Sequence, residues 1–506
     1  MSEGSLMSGI SIETILIAAA SLLLVSIIAS RISGRLGVPA LLLFLVVGML
    51  AGSEGIGGIE FDDPFLAQLL AVMAFALILY AGGFDTEISD IRPVWREGII
   101  LATFGVLVTC LILGGAAYLL LDLEPLEALL LGAIVSSTDA ATVFAVLRSK
   151  SVGLRGNLKP LLELESGSND PMAIFLTVSL IHLIQNPQSS IVQLVPMFIQ
   201  QMALGAIFGV AIGYAIAWTI NHLRLQYDGL YPVVTIAFAL LTYGLTSALG
   251  GNGFLAVYLA GLMSSKLNFI HKRSLKQFHD GIAWLSQIVM FLTLGLLVFP
   301  SEVMPVTGRA LLLAIVLALV ARPVAVFSSI FWTKYTLREK TFISWVGLRG
   351  AAPIILATFP LLAGLEEADL MFNIVFFIVL TSVLIQGTSL PIVARWLHVD
   401  APLPVKRQYP LQFIPSDGLK SELLEVIVPT DAPVAGKRVL EVGFPEASLL
   451  VLLGRDNDFM IPSGSTTLLA GDHILILADK TDADHIRAIF GASETGDPGN
   501  AGAYSI

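Results

Sequence analysis

Apolar runs separated by short polar segments fill the first four hundred positions of the chain. A helix that crosses a bilayer needs about 20 mainly apolar residues, so these runs predict membrane-spanning helices. Thirteen runs, here called spans 1 to 13, are predicted at 11–30, 37–53, 65–84, 98–121, 126–147, 160–184, 195–221, 229–249, 252–265, 280–299, 307–331, 342–362 and 371–396. The pattern therefore predicts an all-α polytopic membrane protein.

The pattern changes after residue 398. The first 398 residues contain 44 charged residues, whereas the last 108 contain 23. Residues 421–491 alternate short apolar runs with turn signals, which predicts a small α+β domain. We therefore expect a transmembrane domain at 1–398, a proline-rich linker at 399–420, the α+β domain at 421–491 and a disordered tail at 492–506.

Basic residues orient the predicted spans, because Lys and Arg concentrate in cytoplasmic loops. With the N-terminus outside, 17 of the 20 basic residues before 399 fall on one side, and only Arg309 falls on the other. Arg322 and Arg349 lie inside spans. This predicts an inner (plasma) membrane protein with its acidic tail in the cytoplasm. The net charge of −11 makes nucleic acid an unlikely partner, and the apolar spans make membrane lipid the expected one.

Thirteen spans can form two inverted six-helix repeats around a central span, an arrangement that recurs in secondary transporters. Spans 4–6 would then correspond to spans 11–13. Spans 5 and 12 both carry helix-weakening sequence in mid-membrane, at Ser136–Asp139 and Gly347–Pro353. We expect these two helices to cross and to be partly unwound, so that backbone carbonyls and helix ends face an ion.

Five ionisable residues lie in the middle of predicted spans. A charge at mid-bilayer costs at least about 2.5–3.5 kcal/mol on insertion scales, so each such residue needs a partner or a function. The residues are Asp139 in span 5, Glu165 and Asp170 in span 6, Arg322 in span 11 and Arg349 in span 12.

The two acids of span 6 lie on different helix faces. Residues four apart share a face, so Ser166 lies beside Asp170, and Glu165 lies beside Asn169. We interpret Asp170 and the Ser166 hydroxyl as the site of a transported ion, and Glu165 as the partner of a buried arginine. The alternative is that both acids only neutralise the two buried arginines, without transport.

These segments resemble the cation/proton antiporter-1 family, which comprises sodium–proton and potassium–proton exchangers of the NhaP and NHE type. The motifs that carry the resemblance are Ser137-Thr138-Asp139, Glu165 to Pro171, Ala321-Arg322-Pro323 and Gly347-Leu348-Arg349-Gly350. It implies an NhaA/NhaP-like fold, a homodimer, and a core domain that moves against a dimerisation domain.

The resemblance also implies the role of each motif residue. Asp170 would bind the cation and the proton, and the residues that complete its site would be Asp139, Thr138 and Ser166. The implied supporting residues are Asn169, the neutral neighbour of the acid; Glu165 and Arg322, an ion pair; and Arg349, which would compensate helix-dipole charge. Members with an Asn-Asp pair are generally electroneutral, which predicts 1:1 exchange.

Span 3 departs from this family. Potassium–proton relatives commonly have an acid just before a Gly-Gly pair, where this chain has Ala81 before Gly82-Gly83. Asp85 lies one helical turn further on and is a candidate acid of an access funnel. It is equally interpretable as a solvated charge at a helix end.

The tail resembles the C-terminal lobe of regulator-of-K⁺-conductance domains, called RCK-C. The similar segments are Gly454-Arg455, Ile461-Pro462 and Ala470 to His473. No GxGxxG half precedes them, so dinucleotide binding in the manner of full assemblies is not expected. The resemblance implies dimerisation and binding of small regulators, including nucleotides. A dimerisation cap without a ligand remains an open alternative.

The predicted function is secondary antiport of K⁺, Na⁺ or both against H⁺, in which the ions compete for Asp170. No other cofactor is expected. The alternative is a gated monovalent cation channel, although no symmetry-repeated pore filter is recognisable. Neither an HExxH motif nor a nucleophile–base pair occurs, so we do not expect an enzyme.

Overall fold

The computed structural model describes residues 11–36, 39–61, 63–223, 225–267, 269–402, 421–429, 432–445, 448–455, 458–490 and 503–505. The chain divides into two compact units, Met1–Val405 and Lys406–Ile506. The first unit is helical, and the second is built around an antiparallel sheet.

The helices of the first unit overlap the predicted spans, and spans 5 and 12 are each divided into two half-helices. Apart from single turns, the helices are α1 Ile12–Leu36, α2 Ala40–Ala51, α3 Pro64–Asp85, α4 Trp95–Leu121, α5 Pro125–Ile134, α6 Ala140–Ser149, α7 Leu158–Gln185, α8 Leu194–Leu223, α9 Leu230–Ala248, α10 Gly253–Lys266, α11 Lys272–Leu296, α12 Pro300–Ser329, α13 Leu337–Trp345, α14 Ala351–Leu362 and α15 Ala368–Trp396. In the part of the chain that is described, seven helices are long and apolar enough to cross a membrane.

Spans 5 and 12 are broken where their sequences predicted it. Span 5 consists of α5 and α6, and span 12 consists of α13 and α14. Asp139 begins α6 as its N-cap and accepts a hydrogen bond from the Thr142 amide at 3.1 Å, as capping aspartates do. Gly350 precedes α14 as its N-cap residue, with a backbone conformation that is not helical. Each break thus leaves backbone groups without partners in their own helix, so that they can bond to other segments inside the protein.

Three of the long helices contain a π-helical turn. These turns are Leu101–Gly105 in α4, Leu317–Ala321 in α12 and Ser382–Gly387 in α15. Such turns are rare, and they are frequent at functional sites. Those of α4 and α12 lie in spans 4 and 11, which correspond under the predicted inverted repeat.

The helices pack into two groups. One contains α4–α7 and α12–α15, and the other contains α1–α3 and α8–α11. Glycines allow close approach in the second group, since a Cβ atom on Gly295 would lie 2.9 Å from the Gly48 Cα atom. Likewise, a Cβ atom on Gly261 of α10 would lie 2.9 Å from the Phe84 backbone nitrogen of α3.

A two-stranded sheet joins the α6–α7 connection to the chain after α15. Strand β1, Val152–Leu154, pairs antiparallel with β2, Asp400–Pro402. The Arg155 amide also donates to the Val399 carbonyl at 3.0 Å. Residues 400–402, which the predicted linker 399–420 includes, thus pair with a strand of the helical unit. Residues 403–420 lie outside the described residues.

The second unit has the predicted α+β character. Its elements are β3 Ser421–Ile427, β4 Leu449–Arg455, β5 Asp458–Met460, β6 His473–Asp479, the helix α16 Ala483–Ile489 and β7 Ala503–Ser505. The strand order is β5-β4-β6-β3-β7. The apolar pair Leu468-Leu469 lies outside these strands.

The tail that we expected to be disordered, 492–506, lies mostly outside the described residues. Residues 503–505 are an exception, because they pair antiparallel with β3 as strand β7.

Candidate functional site

The two unwound segments cross and are tied to each other by hydrogen bonds. The Asp139 amide donates to the Leu348 carbonyl at 2.9 Å. The Arg349 guanidinium, which is fully buried, donates from Nη1 to the carbonyls of Ser136 at 3.1 Å and Ser137 at 2.5 Å. These carbonyls follow the C-terminal end of α5, where a positive charge stabilises the helix dipole.

The two glycines of the Gly347-Leu-Arg-Gly350 motif make room for side chains of other helices. A Cβ atom on Gly350 would overlap the Asp139 carboxylate. A Cβ atom on Gly347 would lie 2.7 Å from the Arg322 Nε atom. Any larger residue at either position would displace a charged group of the site.

Asp139 is a helix cap as well as a residue of the crossing. Its Oδ2 accepts a hydrogen bond from the Thr142 hydroxyl at 2.5 Å, in addition to the bond from the Thr142 amide. Asp139 and Ser166 are both half-buried, so the site is not sealed.

Helix α7 is hydrogen-bonded to the unwound segment of span 5. The Ser166 hydroxyl donates to the Thr138 carbonyl at 2.9 Å and accepts from the Ala140 amide at 3.0 Å. The Asn169 side chain donates from Nδ2 to the Thr138 hydroxyl at 2.6 Å. These bonds hold the next residue of α7, Asp170, beside the break.

Asp170 is buried, with 7% of its surface exposed, and no ion pair to it is found in the described part of the chain. Its Oδ1 atom accepts no hydrogen bond, and the same holds for Ser137 Oγ and Asn169 Oδ1. The Ser137 hydroxyl faces the Asp170 carboxyl without an aligned hydrogen bond. Because buried polar atoms are normally satisfied, these oxygens are candidate ligands of a cation.

Glu165 lies on another face of α7, against α12. Its Oε1 atom is 2.6 Å from Nη2 of Arg322, and the two side chains are 1% and 4% exposed. Neither carboxylate oxygen accepts an aligned hydrogen bond, so the contact is ionic. Arg349 is held by carbonyls instead of a carboxylate, which disfavours the alternative that the two acids of span 6 merely neutralise the two arginines.

A polar bracket from α15 holds the break of span 12. The Arg349 amide donates to Ser382 Oγ at 3.1 Å, and the Ser382 hydroxyl donates to Gln386 Oε1 at 2.6 Å. Gln386 Nε2 donates to the Trp345 carbonyl, the last of α13, at 3.2 Å. Neither this bracket nor a role for Ser137 was predicted from the sequence. Two polar residues four apart in an apolar span were the available signal.

Asp85 lies at the end of α3, away from these contacts. Its carboxylate is 76% exposed and pairs with Lys276 of α11 at 2.7 Å. This geometry matches the interpretation of Asp85 as a charge at a helix end.

Comparison with protein families identifies two matching regions. Residues 19–396 match the family described as sodium/hydrogen exchanger, transmembrane, and residues 423–491 match the TrkA-C domain.

Similar proteins cover nearly the whole chain. It is 39% identical over 476 residues to the K(+)/H(+) antiporter NhaP of Alkalimonas amylolytica, a match that covers 93% of this chain and 82% of that protein. It is 40% identical to the K(+)/H(+) antiporter NhaP2 of Shewanella sp. (strain ANA-3), a match that covers 95% of this chain and 84% of that protein.

Among solved structures, the sodium proton antiporter MjNhaP1 from Methanocaldococcus jannaschii is similar in fold. The TM-score is 0.66 at 22% identity, and the match covers 76% of this chain and 99% of that chain.

Proposed function

We propose, from the premise that this chain belongs to the sodium/hydrogen exchanger family, that it is a secondary antiporter that exchanges K⁺, Na⁺ or both for H⁺. K⁺ is the preferred cargo, because the similar proteins from Alkalimonas and Shewanella are named K(+)/H(+) antiporters. A family of transporters also gives no reason to expect an enzyme.

The observation that carries the proposal is the buried Asp170 carboxylate, which has no ion-pair partner in the described part of the chain. A carboxylate cannot hold a proton and coordinate a cation with the same oxygen. The two ions therefore compete, and this competition couples their fluxes in opposite directions. The unpaired oxygens of Ser137 and Asn169 would complete the cation's shell with Asp139, Thr138 and Ser166.

Alternating access would arise from movement of the group α4–α7 and α12–α15 against the group α1–α3 and α8–α11. The first group carries the whole crossing of spans 5 and 12, so the site would move as a unit. In this proposal the protein is a homodimer of the inner membrane, with thirteen spans, an external N-terminus and a cytoplasmic C-terminus.

The TrkA-C domain would regulate exchange, and a nucleotide is a candidate regulator. Within this domain, Arg455 pairs with the buried Asp472 at 2.6 Å and also donates to the Thr467 carbonyl at 2.7 Å. This pair fixes the β4–β6 end of the sheet.

The test is dye-reported proton flux in proteoliposomes, with K⁺, Na⁺ and Li⁺ supplied in turn. Asp170→Asn should abolish exchange with every cation while the protein keeps its elution profile and thermal stability. Asp85→Asn is the matched control, because it removes an exposed carboxylate of the same charge, and it should retain exchange. Exchange by Asp170→Asn at the parent rate would refute the proposal, and single-channel currents would favour a channel instead.

A further inference from the structure

An apolar crevice lies between α12 and α15. Its cavity volume is about 130 Å³, and its walls include Ala314 and Ala318 of α12 and Ile378 of α15. At its inner end lie Trp345, Ser382 and Gln386, which are residues of the bracket that holds the break of span 12. Two of the three π-helical turns, Leu317–Ala321 and Ser382–Gly387, contribute to its lining.

The crevice lies at the depth of the bilayer centre. Its α12 residues are near the middle of Pro300–Ser329, and its α15 residues are near the middle of Ala368–Trp396. With a rise of about 1.5 Å per residue, Leu319 lies within about 7 Å of the midpoint of its helix. Only hydrocarbon chains occupy a bilayer at that depth, because the hydrocarbon core is about 30 Å thick.

The mouth of the crevice faces the surroundings of the protein. Three apolar side chains on it are strongly exposed: Leu319 at 61%, Ile385 at 54% and Ile315 at 45%. Both helices are among the candidate membrane spans, so the surroundings of these side chains are lipid. A lipid chain can therefore enter sideways from the membrane.

Trp345, Ser382 and Gln386 at the inner end are hydrogen-bonded within the protein, and Thr381 is the one other polar residue of the lining. Gln386 uses both ends of its amide, towards Ser382 and the Trp345 carbonyl, and Trp345 Nε1 donates to the Ser389 hydroxyl at 3.0 Å. A polar ligand would leave most of its own polar groups unsatisfied there, which is unfavourable in an apolar environment. The chemistry of the lining selects a hydrocarbon.

We propose that this crevice binds one acyl chain of a membrane lipid. The acyl chain packs against the side chains of Trp345, Ser382 and Gln386. The Ser382 hydroxyl accepts a hydrogen bond from the Arg349 amide, and the Arg349 side chain donates to carbonyls of the span 5 break. By packing against Ser382, the lipid would therefore stabilise the crossing of spans 5 and 12. The proposal does not depend on which ions are exchanged.

Trp345 is a built-in reporter for this site, since bromine atoms quench indole fluorescence on contact. The chain has six tryptophans, and the other five can be replaced by phenylalanine to leave Trp345 alone. The full-length protein is reconstituted into phosphatidylcholine that carries bromine in mid-chain or near the headgroup. We expect stronger quenching by the mid-chain label, and at least a two-fold loss of that quenching in Ala318→Phe, which fills the crevice.

A single-tryptophan protein that keeps Trp396 is the matched control, because this residue is 73% exposed and does not line the crevice. Its quenching should be the same with and without Ala318→Phe. Equal quenching of Trp345 by the mid-chain label with and without Ala318→Phe would overturn the proposal. Absence of Trp345 quenching in the parent would also overturn it, and would indicate that a second copy of the chain covers the crevice. The comparison of Trp345 quenching by the mid-chain and headgroup labels requires no substitution in the crevice. It therefore tests the proposal even if Ala318→Phe does not fold.

Discussion

Removal of one partner from the buried Glu165–Arg322 pair should destabilise the protein more than removal of both. The two charged groups lie 2.6 Å apart with side-chain exposures of 1% and 4%, so neither can be solvated when the other is removed. Breaking a buried pair costs about 3–5 kcal/mol, because an uncompensated charge remains in low dielectric. We expect this loss for Arg322→Met and for Glu165→Gln separately.

The double variant Glu165→Gln/Arg322→Met leaves no stranded charge at this position. Replacement of both partners of a buried pair by neutral residues of similar volume is often neutral or stabilising. Its stability should therefore lie well above that of either single variant. The coupling free energy from the double-mutant cycle should be a large fraction of the single-variant loss.

The assay is thermal unfolding of the purified protein in detergent, followed by size-exclusion chromatography of the fraction that remains folded. Lys159→Ala with Glu163→Ala provides a control cycle, because that pair is solvent-exposed at 60% and 32% and its atoms are 3.6 Å apart. Exposed pairs contribute about 0–1 kcal/mol. If Arg322→Met is as stable as the parent, the structural role given to Glu165 is wrong.

Other predictions concern the crossing and the competition. Gly350→Ala and Gly347→Ala should each lower the free energy of unfolding by about 1–3 kcal/mol and slow exchange. Gly281→Ala is the control, because its added Cβ atom would meet no neighbour; it should change neither stability nor exchange. The cation concentration for half-maximal exchange should fall as pH rises from 6 to 8, because fewer protons compete for Asp170; a constant value would contradict competition. Asn169→Asp should make flux respond to a valinomycin-clamped membrane potential, and a flux that stays insensitive would refute the charge argument.

The sequence predicted those features of the site that depend on local chemistry. Weak helix formers in apolar surroundings located both breaks, and helical spacing separated Asp170 from Glu165 on α7. A charge in the middle of a span needs a partner, so the resemblance could pair Glu165 with Arg322. The breaks and the two faces of α7 followed from residue type and spacing alone, whereas the choice of Arg322 as the partner of Glu165 came from the resemblance.

Other features depend on contacts that spacing does not encode. The bracket of Ser382 and Gln386 reaches Arg349 from another helix, and β1 pairs with β2 across about 250 residues. The π-helical turn at Ser382–Gly387, where both bracket residues lie, results from packing and has no strong sequence signal. The role of Ser137 appears only when its hydroxyl is found facing Asp170 without an aligned bond.

The charges at the crossing give a physical reason to expect 1:1 exchange. Three acids, Asp139, Glu165 and Asp170, meet two arginines, so the ionised site has one negative charge in excess. The Glu165–Arg322 pair cancels internally. One monovalent cation or one proton therefore brings the site to neutrality, and the moving group would carry the same charge across the membrane in either loaded state. The empty site would carry an uncompensated charge through low dielectric, which is costly. The same electrostatic penalty that enforces coupling would also suppress a leak by the unloaded protein.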